Sequence, residues 1–244
     1  MFNGFGTLLN VVGIAAGSAV GVLFGNRIPE KTRSLITDAL GLVTLVAAAD
    51  ALKVVWDKAY AGALPKGWTL LTMILALVLG ALLGTALKIE DRLESFGKAI
   101  RDRFSRPGRG NFIEGFMAAS LLFAIGPLAI LGSISDGMGN GQQQLILKSI
   151  LDAITSIAFA ATFGWGVLAS IIPVGIYQGL WTLAGWGMGN VMNSFQVGAM
   201  TAVGGILLLA ISLRILNIKV IAIGNLLPAI FIAPLIASAA HHFI

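Results

Sequence analysis

FIEGFMAASLLFAIGPLAIL, residues 112–131, is long and apolar enough to cross a bilayer, yet it is interrupted at Gly126-Pro127 and runs on into GSISDGMGNG, residues 132–141. About 20 residues at 1.5 Å rise per residue cover a hydrocarbon core roughly 30 Å thick. Proline has no N–H to donate and crowds the preceding turn, so Gly-Pro in mid-span breaks the helix. The continuation from Gly132 reads as a turn too rich in glycine to be regular. Non-helical backbone at membrane depth survives only where protein buries it or where it lines a wet cavity. Discontinuous helices of this kind hold ion and substrate sites in transporters. The stretch predicts an all-α, polytopic membrane protein with one discontinuous span near residues 126–141.

The rest of the chain agrees. Of 244 residues, 57% are hydrophobic and only 11% are charged, against about 25% charged in a soluble domain. Mean hydropathy is +0.91. Cysteine is absent, which excludes disulfides and cysteine-held metal. The formal charge of +5 lies in loops between apolar runs, where it sets topology rather than attracting nucleic acid. The first run, 5–24, has no basic segment before it and is long enough to span, so it reads as a retained helix rather than a signal peptide.

Eight spans are expected, at about 5–24, 35–55, 68–87, 112–131, 145–167, 169–189, 199–216 and 220–239. The fifth and sixth are fused into one apolar stretch, with Ser170-Ile171-Ile172-Pro173 as the expected turn; one long kinked helix there would make seven. With eight, the odd-numbered loops carry 12 of the 16 basic residues, including the basic loop 88–111, and the other side carries Lys53, Lys58, Lys66 and Lys148. That bias places the odd-numbered loops in the cytoplasm and both termini outside.

Gly13, Gly17, Gly21 and Gly25 recur every four residues and form one smooth helical face. Such a face packs a neighbouring helix closely, either within one subunit or between copies in a homo-oligomer. An echo between GSAVGVLFGN from Gly17 and GLWTLAGWGMGN from Gly179 suggests an inverted repeat relating spans one and two to spans six and seven.

Several polar groups sit where charge is expensive. Asp136, with Ser133 and Ser135, offers a carboxylate, two hydroxyls and the carbonyls of a terminated helix, the oxygen ligands of a hard cation. The other reading is an ordinary Asp-Gly turn outside the membrane. Lys148 and Asp152, four apart on one helix, either neutralise each other or form a site in which lysine holds Asp152 ionised. An approach of Asp152 to Asp136 would complete that site. Asn225, ahead of Pro228 and Pro234, is set to satisfy carbonyls freed by a kink or to line a path. Asn10, Gln178, Asn190 and Asn193 read as glue between helices. Arg214 is expected to snorkel to the interface. No phosphate loop, zinc motif or nucleophile elbow occurs, and the two histidines, His241 and His242, are adjacent near the C-terminal end. No enzyme activity, cofactor or metal is expected.

The run GFMAASLLFAIGPLAILGSISDG from Gly115 with Lys148-Ser149-Ile150-Leu151-Asp152, GTLLNVVGIAAGSAVG from Gly6, GGILLLAISLRILNIK from Gly204 and Asn225-Leu226-Leu227-Pro228-Ala229 resemble the YdfK/YqgA-like bacterial inner-membrane family, domain of unknown function 554. The resemblance covers essentially the whole chain. It implies a bacterial plasma-membrane protein of transport type and carries over no substrate or catalytic residue.

Taken together, these features lead to a transporter or channel for a small ion, a cation or proton held by Asp136, Asp152, Ser133, Ser135, Lys148 and Asn225. An anion drawn to a half-helix N-terminus is the mirror reading, and a membrane scaffold with no transport is the competing class.

Overall fold

The computed structural model describes residues 2–25, 27–104, 112–125, 127–188 and 192–242. Gly126, at the centre of the expected break, lies outside the described residues, as do Arg106, Arg109, Gly189 and Asn190. Among the described residues there is no strand. The helices are α1 (Phe5–Gly25), α2 (Glu30–Leu52), α3 (Lys58–Ala61), α4 (Trp68–Ala86), α5 (Ile89–Phe104), α6 (Phe112–Ala124), α7 (Pro127–Gly137), α8 (Gln143–Phe163), α9 (Gly166–Ala169), α10 (Ile171–Met188), α11 (Ser194–Ile215) and α12 (Pro228–His241). Short 3-10 turns occur at Lys53–Trp56 and Ile223–Leu226.

Two sequence expectations are corrected, the second in part. The run from Gly132 is not an irregular turn; α7 carries helix through Gly137, and the turn begins at Met138. Its glycines serve close approach: a Cβ on Gly132 would meet Leu145 of α8, and one on Gly137 would strike the carbonyl of Thr182 in α10. Between the fifth and sixth spans the helix is interrupted at Gly164-Trp165 (φ +75° at Gly164) and again at Ser170, the first residue of the expected turn, while Ile171 to Pro173 are already helical. Pro173 sits in the first turn of α10, where a missing N–H leaves nothing unsatisfied.

The chain divides into two compact units. Unit 1 comprises 1–40 and 93–191, and unit 2 comprises 41–92 and 192–244. In unit 1 the main seam joins α1 to α8. Gly6 lies against Leu145, Gly13 against Ser149 and Ala153, Gly17 against Ala153 and Ser156, Gly21 against Ile157 and Ala160, and Gly25 against Ala161. The two helices are therefore parallel, and the glycine face expected to pack a helix is filled by α8 of the same chain. α1 and α10 run antiparallel, with Thr7 beside Thr182 and Asn10 beside Gln178, which is the orientation an inverted relation between spans one and six requires. Phe123, Phe159 and Phe163 form the aromatic core, with ring centroids 6.4 Å and 5.6 Å apart.

Among the described residues, seven helices are long and apolar enough to cross a membrane, or eight with the bent pair counted as one span. α6 and α7 form a bent pair, at 60° to each other. If α2 and α4 each cross once, a re-entrant α6–α7 would leave α8 antiparallel to α1, whereas a crossing pair makes them parallel, as observed. α6 begins beside the end of α8, with Gly115 against Phe163, and α7 ends beside its start, with Gly132 against Leu145. The bent pair thus runs the length of α8, as an eighth span would.

In unit 2, α4 and α12 pack antiparallel, Gly80 against Ala229 and Gly84 against the carbonyl of Asn225. The second half of α2 runs antiparallel to α11, where Ser212 donates to the Gly41 carbonyl (2.7 Å) and Gly205 meets Leu52. Large apolar side chains stand on the outer faces, among them Leu23, Ile154, Leu183, Val46, Leu82 and Leu235. A surface this apolar belongs in hydrocarbon. The chain is a membrane protein, and its lipid-facing side chains contact the bilayer.

Candidate functional site

Asp136 lies near the C-terminal end of α7 and is 0% exposed. The partial negative charge of its own helix end disfavours a carboxylate there. The start of α1 compensates, because its first N–H groups have no intrahelical acceptor. Asp136 Oδ2 accepts from Gly6 N (2.9 Å) and Thr7 N (3.3 Å). Gly6 is needed for this approach, since a Cβ there would fall 3.1 Å from Oδ2 and 2.8 Å from Leu145. The other oxygen, Oδ1, makes no hydrogen bond, although it is buried. Among the described residues no Lys, Arg or His nitrogen forms an ion pair with Asp136.

Polar contacts continue from this point along α1 and α10. Asn3 Nδ2 donates to the Gly137 carbonyl (2.9 Å). The Thr7 and Thr182 hydroxyls are 2.8 Å apart, and Asn10 Nδ2 donates to Gln178 Oε1 (3.1 Å). That amide pair leaves Asn10 Oδ1 and Gln178 Nε2 buried without partners. Which atom of each amide faces the other is assigned from this hydrogen bond, and either assignment leaves one donor and one acceptor over.

The remaining expected ligands are spent elsewhere. Ser133 Oγ donates to the Ala129 carbonyl one turn back (2.6 Å), and Ser135 Oγ donates to Gly141 O (3.1 Å). The Ser133 bond is the back-bond to the i−4 carbonyl seen in helices, and neither hydroxyl is bonded to Asp136. Lys148 Nζ and Asp152 Oδ2 meet at 2.6 Å, with the two residues 7% and 8% exposed. This is the self-neutralising pair that the four-residue spacing allows. Asp152 does not join Asp136: its neighbours Ser149 and Ala153 face Gly13 and Gly17, whereas Asp136 meets Gly6. At 1.5 Å per residue, that is roughly 10–16 Å further along α1. Asn225 belongs to unit 2, where its Oδ1 accepts from Glu90 N at the start of α5 (2.9 Å). Among the described residues, no group of three or more His, Asp or Glu side chains is placed to hold a metal ion.

Sequence reasoning missed Glu90. It reads as part of a solvated loop, yet its Oε1 accepts from Arg214 Nη1 (2.8 Å) and its Oε2 from Gly224 N (2.6 Å). Arg214, in the last turn of α11, is thus paired with an acid rather than left free. A lone arginine in the seventh span was the available signal that an acid had to lie near it.

The family model described as protein of unknown function (DUF554) matches residues 5–238. The chain belongs to the DUF554 family. A similar DUF554-length relative is "Uncharacterized membrane protein YdfK" of Bacillus subtilis strain 168, 34% identical over 239 residues and 98% of both chains. Another is "Uncharacterized protein YqgA" of Escherichia coli K12, 32% identical over 241 residues and 96% of both. No solved structure matches the chain.

Proposed function

We propose that this DUF554 protein conducts or carries a small cation or a proton across the bacterial plasma membrane, with both termini outside and Asp136 as the central binding group. It carries out no covalent chemistry in this reading. The supporting observation is the Asp136 carboxylate itself, fully buried at the end of the bent α6–α7 pair with one oxygen unbonded. A buried ionisable group in a membrane protein is expensive and is kept where it serves a path or a partner. An anion is disfavoured at this position, because the N–H groups at the start of α1 already hold the protein's own carboxylate. Asn10 and Gln178, with their spare acceptor and donor, extend the polar route along α1. Lys148–Asp152 forms a neutral element of the wall.

The scaffold reading keeps one specific observation in its favour: Asp136 Oδ2 ties α7 to α1 as a purely structural cap would. Flux in proteoliposomes separates the two readings. Purified protein is reconstituted with a pH-sensitive or cation-sensitive dye inside, and a proton, sodium or potassium gradient is imposed. Transport predicts dissipation by wild type, with loss of most of it in Asp136→Asn that still elutes as a single folded species. Absence of flux for every ion in wild-type vesicles would sink the proposal.

A further inference from the structure

We infer that Asp136 is a proton-binding site, that Oδ1 takes up and gives back a proton, and that its occupancy controls how tightly α7 holds the start of α1. The argument starts from the two unequal oxygens. Oδ2 is engaged by Gly6 N and Thr7 N, whereas Oδ1 is buried with no donor. An ionised carboxylate offers about four lone-pair sites and only accepts hydrogen bonds. Leaving one oxygen of a buried anion bare is costly. Adding H+ to Oδ1 converts the anion to a neutral acid, while Oδ2 keeps accepting from the two N–H groups. The step needs nothing beyond the proton itself.

The surroundings favour a proton over a metal ion. A hard cation is held by six or more oxygens, several of them carboxylates. Asp136 is the only acidic residue in α1, α7 or α10, so a divalent cation would find a single carboxylate there. The titratable groups on the elements packed against α7 are few. α1 has none, α10 has Tyr177, and α8 has Lys148 and Asp152, which are bonded to one another. Among the described residues no fixed cation stands against the carboxylate to hold it ionised.

Protonation also has a mechanical consequence. Charge-assisted hydrogen bonds are roughly twice as strong as neutral ones, and an anion at a helix N-terminus gains from the helix dipole. A neutral Asp136 therefore grips Gly6 N and Thr7 N less strongly, and the junction of α1, α7 and α10 loosens. As a coupling device this rests on the transport reading above; as a binding site it does not.

The test is infrared difference spectroscopy of the whole protein in lipid, between acidic and neutral buffers spanning about pH 4 to 9, in H2O and D2O. Wild type is expected to gain a protonated-carboxyl C=O band on acidification, shifted in D2O. Asp136→Asn, whose amide oxygen can still accept from Gly6 N, should lose that band. Asp136→Glu should displace it, which keeps the test decisive if the Asn variant folds poorly. Glu90→Gln should leave it in place. A band that persists unchanged in both Asp136 variants, or none in wild type, overturns the proton site. Cation flux without an Asp136 band overturns the proton assignment and leaves transport standing. An Asp136 band without flux of any cation does the reverse.

Discussion

Each unit contains a carboxylate, fully buried in Asp136 and partly buried in Glu90, that accepts backbone N–H at the start of a helical segment distant in sequence. In unit 2, Glu90 Oε2 accepts from Gly224 N; in unit 1, Asp136 Oδ2 accepts from Gly6 N and Thr7 N. Both contacts need a glycine, because a Cβ on Gly224 or Gly6 would crowd the carboxylate oxygen. The difference lies in the second oxygen. That of Glu90 accepts from Arg214, and that of Asp136 accepts nothing. A carboxylate held by both oxygens, one of them by a cation, is a fixed fastening. A carboxylate held by one oxygen can change its charge without losing all its contacts. The comparison assigns stability to the first and responsiveness to the second.

Arg214→Met should give the largest effect. It leaves the partly buried Glu90 without its cation; breaking a fully buried ion pair costs about 3–5 kcal/mol, which is the upper bound for this pair, 16% and 13% exposed. The check is a thermal melt in detergent, with Glu90→Gln added to Arg214→Met expected to recover much of the loss. A wild-type melt for the single variant would break the comparison. Asp136→Ala comes next. It leaves Gly6 N and Thr7 N without an acceptor, at about 1–3 kcal/mol, and should speed hydrogen exchange at those two amides. Asp136→Asn should cost less than Asp136→Ala, since its amide oxygen can still accept from Gly6 N, although charge assistance is lost and the amide NH2 takes the place of the unpartnered Oδ1. Loss of flux in that variant despite a near-normal melting point would sharpen the contrast most. Lys53→Ala sets the baseline: the Lys53–Asp50 pair is 78% and 74% exposed, and its removal should shift stability by under about 0.5 kcal/mol.

Much of the site was legible, and the limits are informative. Asp136 stood out as a carboxylate inside an apolar and glycine-rich run. Lys148–Asp152 followed from a spacing of four, since helix geometry puts i and i+4 on one face whatever the rest of the fold does. The acceptor role of Asp136 was hidden, because its donors lie about 130 residues away in sequence. Glu90 was hidden for the same reason, behind charged neighbours that resemble a solvated linker. The hydroxyl partners of Ser133 and Ser135, the Ala129 and Gly141 carbonyls, were not legible, because composition does not reveal which backbone carbonyl a serine meets. The expected fifth-to-sixth turn extended to Pro173, although proline in a first helical turn is harmless, and the interruption at Gly164, with its positive φ, was not read.

The sequence by itself determined that this chain is a helical membrane protein, roughly where its spans lie, which helix carries a row of glycines and which of its span-embedded residues are charged. Those are local properties: transfer into hydrocarbon sums along each segment, and helical periodicity repeats every few residues. Only the tertiary structure decided that the glycine row meets α8, that the bent pair lies along α8, and that Glu90 is doubly held while Asp136 keeps one oxygen unbonded. Hydrogen bonds depend on tenths of an ångström between groups from distant segments, and packing alone brings those segments together.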